Sequence, residues 1–150
     1  MKLNKGSNLP NFKLATGFIG DYIDASDLIN NYALVYFWSM SCYVCKENFH
    51  KIKSWKELYH ERGLRLIAIH MPRSENETNK DLVEKFISDN SIEDLCLLDN
   101  FHDLKDEFNN VFGVVPFYYL FDKESKLIYC EAGTKAIAEL DSYLSELFKN

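Results

Sequence analysis

The sequence predicts an α/β fold, a central mixed sheet flanked by helices with an N-terminal extension, and three observations carry that expectation. Two apolar runs, Ala33-Leu34-Val35-Tyr36-Phe37-Trp38 and Leu64-Arg65-Leu66-Ile67-Ala68-Ile69-His70, have the length and composition of strands covered on both faces. Between them the apolar period changes from continuous to three-and-four spacing, which is helical. Later in the chain, helical patterns alternate with short apolar runs, and the last two runs are joined by a polar link of hairpin length.

The first thirty residues are polar and punctuated by Gly6, Pro10, Gly17 and Gly20, so an irregular arm or small hairpin is expected. A short helix follows near Ala25 to Asn30, where Asp24 or Ser26 could cap. After the first buried strand, Ser39-Met40-Ser41 breaks the run. From Cys42 onward Phe49, Ile52, Trp55 and Tyr59, with Leu58 beside them, form one apolar face, and Lys46, Lys51, Lys53, Lys56, Glu57 and Glu61 fill the other. Gly63 closes this amphipathic helix. The second strand ends at Met71-Pro72, and the polar segment Arg73 to Asn79 reads as a loop before a helix carrying Leu82, Val83, Phe86 and Ile87. Leu95 to Leu98 is a short strand and Leu104 to Phe108 a short helix. Phe117 to Phe121 and Leu127 to Cys130 form the hairpin, and Ile137, Leu140, Leu144, Leu147 and Phe148 close the chain as a helix. Residues 1–150 are thus read as one domain, with arm and short elements over 1–31 and the core over 32–150.

Composition narrows the function. Seventeen basic against 23 acidic residues give a net charge of −6, which leaves no surplus to neutralise phosphates, so no nucleic-acid partner is expected. No apolar run approaches the ~20 residues of a bilayer span, and the amino terminus lacks the apolar stretch of a secretory signal. The expected location is therefore cytoplasmic, with no membrane partner. Four cysteines, Cys42, Cys45, Cys96 and Cys130, are no disulfide framework in a chain with an ample core.

Cys42-Tyr43-Val44-Cys45 lies where the first buried strand hands over to the amphipathic helix. Three residues apart in a first helical turn, the two sulfurs share a face and can close a disulfide. The unpaired N–H groups and positive dipole end of the helix favour a thiolate there. Cys42, at the turn, is expected to face solvent and act as nucleophile, and Cys45, one turn inside, to be shielded and to resolve the mixed disulfide. Tyr43-Val44 brings no cation and no proline, which argues against an extreme oxidant. A zinc site would need a second ligand pair, and His50, His60, His70 and His102 are scattered singly, so no metal is expected. Cys96 and Cys130, inside apolar runs, are expected to pack as small hydrophobes.

The stretch Phe37-Trp38-Ser39-Met40-Ser41-Cys42-Tyr43-Val44-Cys45-Lys46-Glu47, together with Val115-Pro116 and the flanking strand–helix–strand order, resembles the thioredoxin-like superfamily in its redoxin or TlpA/ResA-like branch. The resemblance implies a thiol–disulfide oxidoreductase that exchanges electrons with protein disulfides or dithiols, needs no cofactor, and is returned to its dithiol form by a thiol reductant. It implies a cis bond at Pro116 beside the thiols, with the Val115 backbone offered to an extended substrate segment. Trp38, Tyr43, Val44, Val115 and Pro116 are then the expected substrate-binding residues, although Trp38 also reads as a core aromatic ending a strand. The chain departs from the family pattern at three places. Tyr36 stands where many thioredoxins carry a buried aspartate, Asn48 where ResA-like proteins often carry a glutamate, and His50 where a kinking proline is usual. The base for Cys45 is left unassigned, since Lys46 and Glu47 are expected on an exposed face. Two other classes compete: a thiol peroxidase, for which Ser39 three residues before Cys42 could serve as hydroxyl donor, and a non-catalytic module that docks partners at Val115-Pro116.

Overall fold

A computed structural model describes residues 3–149; Met1, Lys2 and Asn150, the ends of the expected domain, lie outside the described residues. Six strands, β1 (Gly17–Ile19), β2 (Tyr32–Trp38), β3 (Leu64–His70), β4 (Leu95–Leu98), β5 (Phe117–Phe121) and β6 (Leu127–Ala132), form one sheet in the order β1-β4-β3-β2-β5-β6. β2, β3 and β4 run parallel, and β1, β5 and β6 pair antiparallel. The helices are α1 (Tyr43–Tyr59), α2 (Lys80–Asp89), α3 (Asp103–Glu107) and α4 (Thr134–Leu147).

The alternation of β2 sorts its side chains between two cores. Leu34, Tyr36 and Trp38 face the layer built with Phe49, Ile52 and Trp55 of α1, Val83 and Ile87 of α2, and Ala136, Leu140 and Leu144 of α4. Ala33, Val35 and Phe37 face the layer that holds Leu104, Phe108, Met71 and Tyr119. Both faces of β2 are covered, which is why the sequence shows no polar alternation there.

The arm differs from expectation. Instead of an irregular piece or a hairpin of its own, residues 17–19 add an edge strand to β4, with Gly17 opposite Leu98. Leu9, Phe12 and Leu28 are buried in the same layer as Phe37. Three residues are too short for a period to be read. The helix expected near residue 25 is a single 3-10 turn, Ala25–Leu28, in which the Asp24 N–H donates to the Asp27 carboxylate at 2.9 Å. Leu58 and Leu82 are exposed, because each lies beside the buried stripe of its helix and not on it. The first amphipathic helix ends as α1 at Tyr59, and a 3-10 turn His60–Arg62 carries the chain to Gly63 at φ 99°, the left-handed conformation that glycine adopts without a Cβ clash.

Candidate active site

The reactive turn sits at the carboxyl end of β2, the central strand of the sheet. Two contacts lock this end to β3: the Met71 N–H donates to the Trp38 carbonyl at 2.9 Å, and the Met40 N–H to Nε2 of His70 at 3.3 Å. The chain then turns within one bond, Cys42 N–H to the Ser39 carbonyl at 3.0 Å, and α1 begins. Cys42 is the residue just before the helix. Its Sγ accepts the Cys45 N–H at 3.1 Å, and the two sulfurs are joined as a disulfide with 5.3 Å between the Cα atoms. That spacing is well inside the range that a disulfide bridges without moving backbone.

Exposure differs between the two sulfurs by less than the sequence suggests. Cys42 keeps 5% of its surface and Cys45 2%. The order is as expected, yet Cys42 does not stand out into solvent, because it belongs to the α1-side core that also holds Phe49 and Trp38. Tyr43, between them, is 74% exposed, and Val44 is half-buried.

Trp38 has no exposed surface, as a core aromatic ending the strand would. Its ring packs on His70 at 4.7 Å, Phe86 at 5.3 Å and Phe49 at 5.4 Å. Val115–Pro116 is a cis peptide, with Val115 half-buried and Pro116 buried immediately before β5. The loop carrying it is held by Asn110, a buried side chain whose amide donates to the Val114 carbonyl and accepts the Val114 N–H, both at 2.9 Å. Val111, Phe112 and Val114 are exposed on the same loop.

Ser39 is fully buried, and its hydroxyl donates to the Met71 carbonyl. It is therefore committed to the β2–β3 junction and offers no donor to Cys42, the role that the peroxidase alternative gave it. His50, Lys46 and Glu47 are exposed on α1, as expected of solvated positions.

Three polar groups, two beside the turn and one deeper on the α1 side of the sheet, were not legible in the sequence. His70 is fully buried, and burial lowers its pKa from 6.5 to about 4, with Glu77 acting the other way. It is thus neutral near pH 7, which leaves Nε2 free to accept from Met40. Glu77, in the segment read as a solvated loop, is buried and bonds to Ser41. Asp94 carries the third group. Tyr36 and Asn48 stand at the positions of the family's usual buried carboxylates, and Asp94, just before β4, brings a carboxylate to Tyr36 from elsewhere in the chain. Tyr36 donates its hydroxyl to Asp94 at 2.9 Å, and Lys56 reaches the same carboxylate at 3.3 Å. Burial raises the Asp94 pKa against the pull of Lys56, and burial raises that of Tyr36 well above its usual value. Asn48 instead donates to the Tyr118 hydroxyl at 3.2 Å. The partner of Tyr36 lies 58 positions away, beyond any local pattern.

Cys96 is fully buried in β4, where burial pushes its thiol up to about 12 despite the Trp38 indole beside it. Cys130 is half-buried in β6, more open than an interior strand residue.

Comparison with known proteins agrees with this geometry. The model of the AhpC/TSA family matches residues 6–130. The thiol–disulfide oxidoreductase YkuV of Bacillus subtilis is 32% identical over 114 residues, 76% of this chain and 75% of that protein. The thiol–disulfide oxidoreductase ResA of Bacillus anthracis is 23% identical over 97% of this chain and 80% of its own length. Among solved structures, a thioredoxin-like protein in its oxidised form superposes with a TM-score of 0.82 at 28% identity, covering 98% of this chain and 97% of that one. StoA from Bacillus subtilis superposes with a TM-score of 0.67 at 19% identity, over 83% and 89% of the two chains, which speaks to the shared fold.

Proposed function

The chain belongs to the AhpC/TSA family, has the thioredoxin-like fold and is a thiol–disulfide oxidoreductase, and from that premise we propose the roles of its residues. Cys42 is the attacking thiolate and Cys45 the resolving thiol. In the reducing direction the Cys42 thiolate attacks one sulfur of a protein disulfide, forming a mixed disulfide and releasing the other substrate sulfur as a thiolate, which takes up a proton. Cys45 loses its proton and attacks the Cys42 sulfur. The Cys42–Cys45 bond forms, the second substrate thiolate leaves, and two electrons have passed from the protein to the substrate. A thiol reductant reverses the internal disulfide by the same chemistry.

One observation carries this reading: the Cys42–Cys45 disulfide closes across the start of α1, with the Cys45 N–H pointing at the Cys42 sulfur. That donor and the helix end stabilise charge on Cys42 in the dithiol form. Tyr43, Val44, Val115 and Pro116 form the seat for an extended substrate segment, with Tyr43 the most exposed of them. Trp38 supports the turn from beneath. The net charge of −6 and the absence of a helix long and apolar enough to cross a membrane among the described residues support a protein partner over nucleic acid or lipid. A reducing compartment such as the cytoplasm suits a dithiol with no cation between its cysteines.

The test is to trap. Cys45→Ala leaves Cys42 unable to be resolved, so proteins should accumulate on it as reductant-sensitive adducts identifiable by mass. Cys42→Ala should capture none. Equal capture by both variants, or adducts on Cys96, would refute the assignment.

A further inference from the structure

Resting on that reading, we propose that Glu77 is a positioning residue for Cys42, and that its charge biases the cysteine pair towards donating electrons. Glu77 lies on the 3-10 turn Glu75–Thr78, in the segment after β3, and retains only 5% exposure. Its Oε2 accepts the Ser41 hydroxyl at 3.0 Å, the Arg73 N–H at 3.2 Å and the Ser74 hydroxyl at 3.3 Å, while Oε1 accepts the Ser41 N–H at 3.4 Å. Ser41 immediately precedes Cys42. The carboxylate therefore fastens the residue before the nucleophile, by both backbone and side chain, to a different loop of the protein.

A brace alone does not require a charge. A buried carboxylate is costly unless paired or richly hydrogen-bonded, and a neutral amide could meet several of these donors. A negative charge one residue from Cys42 opposes ionisation of that thiol. The less the Cys42 thiolate is stabilised in the dithiol form, the more the disulfide is favoured, and the more strongly the pair reduces others. The other groups facing this turn act as follows. Arg73 is exposed, and its Nε donates to the Ser41 hydroxyl at 3.1 Å, so it partly offsets Glu77. His70, with Nε2 at 3.8 Å from Glu77, is neutral near pH 7. Lys46 and Glu47 on α1 are exposed and of opposite sign. The segment Val111 to Pro116 carries no charged residue.

The experiment measures the pH dependence of Cys42 alkylation in the reduced protein, and its equilibrium with a reference dithiol–disulfide couple, for wild type, E77Q, E77A and R73Q at low salt. In E77Q, which keeps the shape, the alkylation rate at pH 7 should rise about three- to tenfold, a tenfold change in thiolate being one pKa unit. The equilibrium should move by a similar factor towards the reduced protein. E77A should show the same gain in thiolate together with slower attack on a disulfide reporter, since the brace is lost. R73Q should shift alkylation the opposite way by about twofold. If E77Q folds and titrates as wild type, the proposal is overturned; if E77Q does not fold, an unmoved R73Q overturns it. Wild-type protein that forms no mixed disulfide at Cys42 would instead sink the exchange reading, whatever the Glu77 variants do.

Discussion

Cys42 and Cys96 are the same residue type, both scarcely exposed, in one 150-residue chain, and the structure gives them opposite chemistry. Cys42 sits where strand geometry has ended and helix geometry has not begun, so an N–H of the first turn is available to its sulfur. Cys96 sits mid-sheet in β4, paired to Ala68 and beside the Trp38 indole, and burial holds its thiol un-ionised up to about 12. Exposure alone does not separate them. Nor do hydrogen-bond donors, since the Trp38 indole and the His70 backbone also favour the Cys96 thiolate without overcoming its burial; what separates them is the start of a helix, which Cys42 has and Cys96, inside a strand, lacks.

The comparison is broken most easily by exchanging the cysteines for serine one at a time. Cys42→Ser should lower the reduction rate of an aromatic disulfide reporter by at least about a thousandfold, because the nucleophile is gone. Cys96→Ser should leave that rate within about twofold. A comparable loss from both would mean that Cys96 takes part in the chemistry.

An effect on stability follows from His70, which joins the two regions through Trp38 and Met40. Its folded pKa of about 4 lies below the unfolded value of 6.5. Between those values the unfolded chain binds the extra proton, so stability rises with pH across the window and is lost as pH falls from 6.5 towards 4. The loss is at most about 3 kcal/mol. Denaturant midpoints at pH 7 and pH 4.5 measure it, and His70→Gln, which can still accept from Met40, should flatten the dependence. An unchanged slope in that variant would place the acid sensitivity elsewhere.

The smallest effect sharpens the contrast. Cys96→Ala removes a fully buried sulfur and should destabilise by about 1–2 kcal/mol through the space left in the sheet, with no change in electron exchange. Parallel unfolding curves and turnover measurements read both quantities from one preparation.

How much of this was legible in the sequence depended on whether the signal was local. The continuous apolar runs of β2 and β3, the three-and-four spacing of Phe49, Ile52 and Trp55, and the Cys42/Cys45 spacing at their junction are local, and each was found where expected. Pro116 was legible through resemblance only, since nothing around it marks a cis bond. β1 was missed because three residues carry no period and its partner lies near residue 97. Asp94 was missed because its contact with Tyr36 depends on packing across the α1 side of the sheet. Glu77 was missed because a polar run with Arg73, Ser74, Glu75 and Asn76 reads as solvated; the one available signal was the Ser74-x-x-Glu77 spacing of a capping arrangement. The exposure of Cys42 was overestimated for a related reason, as the sequence shows the turn but not the side chains that close over it.

One pair of thiols, Cys42 and Cys45, cycles between dithiol and disulfide, and no other sulfur joins it. Equilibrating the protein across a series of dithiol–disulfide ratios, then alkylating under denaturing conditions and weighing it, tests this directly. A single two-electron transition is expected, in which Cys42 and Cys45 gain or lose label together while Cys96 is labelled throughout, and replacing either of the pair should abolish the transition. A transition that survives loss of Cys45, or one in which Cys96 exchanges label with Cys42, would contradict this assignment.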